Sequence, residues 1–262
     1  MKKTILITND DGFESKGLHA LKEALEPLAN VIVVAPTIEK SACGHSLTLT
    51  RPLRFIELEK NFYKLDDGTP SDCVFLSLSK LFKDNKPDLV VSGINLGPNL
   101  GEDITYSGTA AAAMEAVLQG IPALAFSQVC KGNCAKVKFD LAKQVAHDLV
   151  KKVLEEGYPL EDRKFLNINI PPLEPKDYKG AKITYAGYRE YGFDAEVHYN
   201  PRGLEYYWIG LPKIEWKNRH NSKHDLSDIE AVEQDFVSIT PIHLDMTHYE
   251  SIKSLKESGY EI

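Results

Sequence analysis

Short apolar segments alternate with stretches of helical periodicity over the first part of the chain. The apolar segments are Thr4–Thr8, Val31–Ala35, Leu89–Ser92 and Ala123–Ser127. Each is almost entirely apolar and is bounded by Gly, Pro, Asn or Asp, which is typical of parallel strands covered on both faces. Leucine, valine and alanine at helical spacing predict four helices: Gly17–Leu28, Ser71–Phe82, Ser107–Gln119 and Ala135–Glu156. This alternation predicts an α/β fold with a mostly parallel sheet and helices on both faces.

The pattern changes after Pro159. Further predicted elements are the strands Phe165–Ile170 and Asp235–Pro241 and the closing helix His248–Ser258. Between these strands, aromatic residues crowd the segment Ala181–Trp216 among charges and glycines, which favours β-hairpins. Half-exposed aromatic hairpins indicate an oligomerisation surface, and a sheet that packs on its own domain is the alternative. We expect a core over residues 1–175 and a hairpin region over 176–262 that returns a last strand and helix to the core.

Composition and charge exclude several functional classes. The 262 residues carry 31 Lys and Arg against 38 Asp and Glu, a net charge of −7 without basic blocks, which disfavours binding to a nucleic acid polymer. The apolar runs are too short for a membrane span, and Lys2–Lys3 lead directly into a strand rather than a signal peptide. Four cysteines do not make a disulfide framework, so we expect Cys130 and Cys134 to be free thiols, with a local disulfide as the alternative. These features predict a cytoplasmic protein without membrane association.

Polar residues follow three of the predicted strands, at the edge of the sheet where ligands bind in open α/β folds. Asn9, Asp10 and Asp11 follow the first strand, Ser41 lies in the loop after the second, and Asn95 follows the third. Adjacent carboxylates repel each other unless a cation neutralises them, and their hard oxygens suit Mg²⁺ or Mn²⁺. A polar turn that caps the next helix would also explain the acidic pair alone. Ser41 and Asn95, as further oxygen donors at the same edge, favour the metal site.

A second candidate site lies at the start of the alanine-rich helix. Ser107, Gly108 and Thr109 would offer hydroxyls, backbone N–H groups and the positive end of the helix dipole to a phosphate, although a simple helix cap is the alternative. The preceding loop Gly97–Gly101 is rich in turn residues and typical of a loop that closes over a ligand. No Walker or GxGxxG sequence is present, which argues against a nucleoside-triphosphate motor and a dinucleotide dehydrogenase.

Four other polar residues are weaker candidates for functional groups. His243 and Asp245 follow the last predicted strand, and we expect them to support the site or to act in acid–base chemistry if that strand ends at the same edge. His220 and His224 are four residues apart but lack the glutamate of an HExxH zinc motif, which favours a solvated segment.

Four blocks of sequence carry a family resemblance: ILITNDDGFESKGLHAL, VVAPTIEKSACGHSLTL, PDLVVSGINLGPNLGEDITYSGTAAAAMEA, and TPIHLDMTH after SDIEAVEQDFVSI. Over nearly its whole length the chain resembles the stationary-phase survival protein (SurE) family. This resemblance implies a Rossmann-like core and a C-terminal swapped hairpin that builds homodimers and homotetramers. It also implies a metal-dependent phosphatase acting on nucleoside monophosphates, chiefly as a 5′-nucleotidase with some 3′-nucleotidase activity. The implied ligands of one divalent cation are Asp10, Asp11, Ser41 and Asn95.

The mechanism expected from these features is phosphate-ester hydrolysis. The cation would lower the pKa of a bound water, while Asn9 and the helix start at Ser107–Thr109 would hold the phosphate oxygens. The closest alternative is a phosphatase with the same site that acts on short polyphosphate or other phosphomonoesters. A receiver-type signalling domain is disfavoured because Asn95 stands where that class needs a phosphorylatable aspartate. A nucleotide-binding regulator without hydrolysis is disfavoured by the complete set of ligands.

Overall fold

A computed structural model describes residues 2–130, 134, 137–190, 195–209, 215–217 and 225–260 of the chain. In chain order the strands are β1 (Thr4–Thr8), β2 (Asn30–Pro36), β3 (Arg54–Glu59), β4 (Phe62–Asp66), β5 (Leu89–Leu96), β6 (Ala123–Gln128), β7 (Lys164–Ile170), β8 (Ala181–Ile183), β9 (Tyr188–Glu190), β10 (Ala195–Tyr199), β11 (Glu205–Ile209), β12 (Glu215–Lys217) and β13 (Val237–His243). The helices are α1 (Lys16–Leu25), α2 (Pro70–Leu76), α3 (Gly108–Leu118), α4 (Asp140–Glu156), α5 (Asp228–Glu233) and α6 (Tyr249–Glu257). A π-helical turn at Ser77–Leu81 follows α2, and a 3₁₀ helix at Gly101–Thr105 precedes α3.

Nine of the described strands form one sheet in the order β3-β4-β2-β1-β5-β6-β7-β13-β8. The six strands from β4 to β7 in this order are parallel, whereas β3 is antiparallel to β4 and β13 is antiparallel to β7. From β1 the chain proceeds to β2 on one side, and the later strand β5 pairs with β1 on the other. This change of direction makes the carboxyl ends of β1 and β5 the topological switch point, where ligands bind in such folds.

Two apolar clusters cover the two faces of the sheet. Within β1, Ile5 and Ile7 pack in a cluster that includes residues of α1 and α4, whereas Leu6 packs in a second cluster with residues of α2 and α3. Because successive side chains of a strand point to opposite faces, a strand covered by helices on both sides must be apolar throughout. The predicted α/β fold with a Rossmann-like, mostly parallel sheet is therefore confirmed.

The structure departs from the predicted elements at the sheet edge and at several helix ends. The hairpin β3–β4 was not predicted, because most residues of β3 are exposed and its sequence mixes charged with apolar residues. The predicted helix Ser71–Phe82 is an α-helix only to Leu76, and a π-helical turn follows it. Helix α4 begins at Asp140 rather than at Ala135, which lies outside the described residues. Strand β5 extends to Leu96.

None of the described helices combines the length and apolarity needed to cross a lipid bilayer.

The C-terminal region divides into a part that joins the sheet and a part that projects from it. β13 pairs with β7, and β8 pairs with β13. In contrast, every residue of the strands β10 and β11 is exposed, including Trp208 at 63%, and α6 has no buried residue. Cys130 and Cys134 form a disulfide, so the expectation of free thiols was wrong: the two residues lie 5.4 Å apart between Cα atoms, a spacing that permits the bond.

Candidate active site

The carboxyl end of β1 places the side chain of Asp10 against the first turn of α3. The carboxylate of Asp10 is buried and accepts a hydrogen bond from the Thr109 hydroxyl. Burial raises the pKa of Asp10, and hydrogen bonds from the Thr109 hydroxyl and from the backbone N–H groups of Thr109 and Gly108 oppose that rise. A Cβ atom at Gly108 would lie 2.7 Å from the Cβ of Asp10, so this close approach requires glycine.

Asp11 lies beside the end of β5, the strand that pairs with β1 at the switch point. Its Oδ2 accepts a hydrogen bond of 3.1 Å from the backbone N–H of Leu96 in β5. Burial and the negative charges of Asp10 and Glu39 raise the pKa of Asp11 to about 7, although the Leu96 N–H opposes this. A buried carboxylate next to a partly buried one makes a site that a cation would neutralise.

The loop that carries Ser41 is attached to both of the elements that flank Asp10. The backbone N–H of Lys40 donates to the Asp10 carbonyl at 2.7 Å, and the N–H of Gly44 donates to the Tyr106 carbonyl just before α3 at 3.0 Å. The Ser41 hydroxyl is exposed and donates to Glu39 Oε1 at 2.6 Å, so its oxygen keeps lone pairs for a further interaction. The loop therefore brings a hydroxyl to the same edge as the acidic pair.

Asn95 stands directly before Leu96, whose N–H binds Asp11. The Asn95 Nδ2 donates to the Gly97 carbonyl at 2.9 Å. This leaves the Asn95 side-chain oxygen Oδ1 as the atom that could coordinate a cation. With Asp10, Asp11 and Ser41, the edge holds two carboxylates, a hydroxyl and an amide oxygen, a hard-oxygen donor set that fits Mg²⁺ or Mn²⁺. In the described part of the chain no cluster of three or more His, Cys, Asp and Glu has a metal-binding arrangement. A cation at this edge would therefore depend on the neutral donors as well as the aspartates.

The residues predicted to hold phosphate make internal hydrogen bonds. Ser107 caps α3 by accepting the Ala110 N–H at 3.0 Å, and Thr109 donates to Asp10. The Asn9 Nδ2 donates to the Gly12 carbonyl at 3.0 Å and to Ser15 Oγ at 2.8 Å. The buried Oδ1 of Asn9 has no hydrogen-bond partner among the described residues. These side chains hold the acidic pair and the start of α3 in place, and the positive end of α3 lies beside them.

The loop Gly97–Gly101 is anchored rather than poised to close over a ligand, which corrects the expectation from its turn-rich sequence. Asn99 is buried: its backbone N–H donates to Asn169 Oδ1 and its Nδ2 to Ser127 Oγ, both at 2.8 Å. Its carbonyl accepts hydrogen bonds from the side chains of Asn167 and Asn169. The sequence carried a signal for this network, because polar residues interrupt otherwise apolar strands, as in FLNINI.

A second unpredicted contact ties the Ser41 loop to α3. His45 Nε2 lies 2.9 Å from Oε2 of Glu115, which is buried on α3, and Gln119 donates to the other oxygen of the same carboxylate. Burial raises the pKa of Glu115, but the hydrogen bonds from His45 and Gln119 outweigh it, and the net shift is downward. The sequence gives no local signal for either residue, because the contact joins positions 70 residues apart.

His243 and Asp245 lie at the opposite edge of the sheet, so the expectation that they support the site was wrong. β13 runs antiparallel to β7, and His243 pairs with Lys164, the first residue of β7. Asp245 is bonded to the nearby Tyr249 hydroxyl and the Thr247 N–H, which lower its pKa to about 2. His220 and His224 lie outside the described residues.

The fold and this edge together define an α/β protein whose acidic, oxygen-donor site is built at the switch point of a Rossmann-like sheet. The family model described as "Survival protein SurE" matches residues 5–193. The chain belongs to the SurE family, and the resemblance noted in its sequence motifs is confirmed.

Relatives align with almost the whole chain. A protein named 5′-nucleotidase SurE from Sulfurovum sp. is 62% identical over 260 residues, covering 98% of this chain and 97% of the relative. A protein of the same name from Helicobacter hepaticus is 58% identical over 259 residues, covering 97% of this chain and 98% of the relative. The crystal structure of the SurE protein from Aquifex aeolicus superposes with a TM-score of 0.81 at 45% identity and covers 97% of this chain and 99% of that chain.

Proposed function

We propose that the protein is a metal-dependent phosphatase that hydrolyses nucleoside 5′-monophosphates to nucleoside and phosphate, with 3′-nucleotides as further substrates. The observation that carries the proposal is the placement of the acidic pair, with Asp10 held against the start of α3 and Asp11 against the end of β5. The names of relatives up to 62% identical support the substrate class.

One Mg²⁺ or Mn²⁺ ion would be held by Asp10, Asp11, Ser41 and Asn95. When bound, a divalent cation lowers the pKa of a coordinated water towards neutrality and screens the charge of a phosphoryl group. The protein's own contribution is to fix Asp10, Asp11 and the Ser41 loop through three separate attachments. These are the Thr109 hydroxyl on Asp10, the Leu96 N–H on Asp11 and the Lys40 N–H on the main chain of Asp10.

The phosphate of the nucleotide would lie at the start of α3. Ser107 accepts the Ala110 N–H, so its hydroxyl proton would be offered to the phosphate. Asn9, Gly108 and Thr109 would contribute by holding Asp10 and the start of α3 in place, and the helix dipole favours negative charge at this end. Such donors stabilise charge that develops in the transition state, and loss of one typically costs about 100-fold to 1,000-fold in rate.

We propose a nucleoside monophosphate as the substrate and neither a nucleic acid polymer nor a membrane as a partner. We also propose that the protein acts as a homodimer or homotetramer. Support for the assembly comes from the hairpin β10–β11, which exposes Tyr199, Tyr207 and Trp208 at 62–63% within a single chain. A double substitution of Tyr207 and Trp208 by serine is expected to reduce the assembly size measured by light scattering. An unchanged mass, or a wild-type protein that is monomeric, would contradict the proposed role of this hairpin.

The substrate proposal is tested by phosphate release from a panel of 5′- and 3′-mononucleotides, a sugar phosphate and tripolyphosphate. We expect 5′-nucleotides to be preferred, activity to disappear with EDTA, and Mg²⁺ or Mn²⁺ to restore it. Activity that survives complete chelation would contradict the metal-dependent mechanism. A preference for tripolyphosphate or the sugar phosphate would support the alternative phosphatase with the same site.

A further inference from the structure

A buried carboxylate of the C-terminal region binds the segment that leads into the site. Asp228 is the first residue of α5 and is fully buried. Its Oδ2 accepts the backbone N–H of Gly101 at 2.7 Å, and its Oδ1 accepts the N–H groups of Gly187 and Ile229, both at 2.9 Å. Because Gly101 and Asp228 are 127 residues apart, this one side chain joins two distant parts of the sequence.

The backbone segments around Asp228 leave no room for a side chain at Gly101, and a side chain at Gly187 would displace the end of the Ile229 side chain. A Cβ atom on Gly101 would lie 2.6 Å from the carbonyl oxygen of Gly187, and Gly101 also has a φ of +56°. A Cβ atom on Gly187 would lie 2.3 Å from the Cδ1 atom of Ile229. Backbone groups buried in this way need hydrogen-bond partners, and Asp228 supplies them with a charged acceptor.

A second contact from the C-terminal region binds the same segment shortly before the cap residue of α3. The Arg189 guanidinium forms an ion pair with the Asp103 carboxylate, and both side chains are only 11% exposed. The backbone N–H of Arg189 also donates to Glu102 Oε2 at 3.2 Å. The 3₁₀ helix Gly101–Thr105 is thus held from the C-terminal side at its first three residues.

The held segment continues directly into the residues that contact Asp10. The Asp103 carbonyl accepts the N–H of Ser107 at 3.1 Å, and Ser107 caps α3, whose residues Gly108 and Thr109 lie against Asp10. In addition, the Tyr106 carbonyl accepts a hydrogen bond from Gly44 in the Ser41 loop. Hydrogen bonds and the intervening main chain therefore connect Asp228 to Asp10 and to the loop that carries Ser41.

We propose that Asp228 is a positioning residue: with Arg189, it holds the start of α3 in the position where Thr109 fixes Asp10. The inference rests on the proposed function only for its effect on turnover, because the position of α3 can be measured separately. It assigns the C-terminal region a role within one chain, in addition to any contact between subunits.

The test replaces Asp228 by asparagine in the full-length protein. The asparagine side chain is nearly isosteric but has one acceptor oxygen, so at least one of the three N–H groups loses its partner. The matched control is Glu230→Gln, because Glu230 accepts the Ser227 N–H at the start of the same helix. This control weakens α5 and leaves Gly101 and Gly187 untouched.

Hydrogen exchange of the wild-type protein and both variants measures the position of α3 without reference to activity. We expect the amides of Ser107, Ala110 and Ala111 to exchange about tenfold faster in D228N than in E230Q, as loss of a charge-assisted hydrogen bond predicts. Phosphate release from AMP should fall at least about tenfold in D228N and less than about twofold in E230Q. If D228N does not fold, Arg189→Gln carries the same comparison, since it removes the guanidinium that pairs with Asp103 and leaves Asp228 in place.

Equal exchange at the start of α3 in D228N and E230Q would overturn the proposal, and so would a loss of activity that follows the melting temperature equally in both. If the wild-type protein releases no phosphate from AMP, the proposed function fails. The exchange data would then still confirm or overturn the positioning role.

Discussion

Charged residues are arranged differently at the two ends of the parallel strands, the amino edge where the strands begin and the carboxyl edge where they end. At the amino edge, opposite charges pair across the surface: Lys3 lies 2.8 Å from Asp88, and Lys164 lies 2.6 Å from Glu161. At the carboxyl edge, the like charges of Asp10 and Asp11 are adjacent and largely buried. Exposed ion pairs of this kind contribute little to stability. Neighbouring like charges lower the stability of the folded protein, and a bound cation would offset that cost. The unfavourable proximity of like charges is therefore located at the carboxyl edge of the sheet.

The edges also differ in what holds their polar groups. A cleft of about 110 Å³ lies at the amino edge between Tyr158, Leu160 and the segment 161–164. Two of its charged residues, Glu161 and Lys164, form a surface ion pair. At the carboxyl edge, backbone N–H groups from β5, the Ser41 loop and α3 converge on the two aspartates. Convergence of fixed donors, rather than the volume of a cavity, distinguishes the candidate site.

The largest effect is expected from Asp11→Asn. Phosphate release from AMP should fall about a thousandfold or more, because the substitution removes a charged oxygen donor from the proposed metal site. The pKa of Asp11 is raised to about 7, so at about pH 8 the metal-free wild-type protein carries an unfavourable charge that the variant lacks. In EDTA at that pH the variant should therefore unfold at the same or a higher temperature. Near wild-type turnover would contradict the assigned role of Asp11.

A smaller effect is expected from Gly108→Ala. The new Cβ would lie 2.7 Å from the Asp10 Cβ, so α3 or Asp10 must move, and activity should fall about 100-fold. The matched control is Gly157→Ala at the end of α4, where φ is +96° and no atom lies within 4 Å of the added Cβ. This control should lose about 1 kcal/mol of stability and keep its activity, measured as initial rates. Equal activity in the two variants would show that the close approach at Gly108 is unimportant.

A moderate effect is expected when the Ser41 loop loses its attachment to α3. His45→Ala removes the contact to Glu115, and kcat/KM for AMP should fall about tenfold through lost positioning. Gln119→Ala removes the other partner of Glu115 without touching the loop, so its kcat/KM should stay within about twofold of wild type. Equal losses in both variants would indicate general damage to α3 rather than a role of the loop attachment.

The smallest effects are expected at the amino edge. Asp88→Asn and His243→Ala should each leave phosphate release within about twofold of wild type. They should change the free energy of unfolding, measured in urea, by about 1 kcal/mol or less, because exposed charges contribute little. A tenfold loss of activity in either variant would break the contrast between the two edges.

The elements that could be predicted from the sequence are those with a local signal. β1, β2, β6 and β7 are apolar because they are covered on both faces, and their bounds were predicted to within about a residue. The polar residues that follow such strands pointed to the carboxyl edge, so the acidic pair was found. The direction of β13 has no local signal, which is why His243 was expected at the wrong edge.

Long-range contacts account for the rest. The function of Asp228 depends on Gly101 and Gly187, and no pattern around position 228 indicates that its carboxylate would face their N–H groups. The exposed hairpin β3–β4 lacks the apolar signal of the central strands. In each case the missing information lies in a contact between distant segments rather than in a propensity.

The distance in sequence between Asp228 and the proposed metal ligands has a consequence for the order of synthesis. Asp10, Asp11, Ser41 and Asn95 leave the ribosome early, but Asp228 follows Asn95 by more than half the chain. If α3 needs Asp228 to take up its final position, the nascent chain carries its donors long before it can use them. Translation would then delay the onset of catalysis until Asp228 has been synthesised.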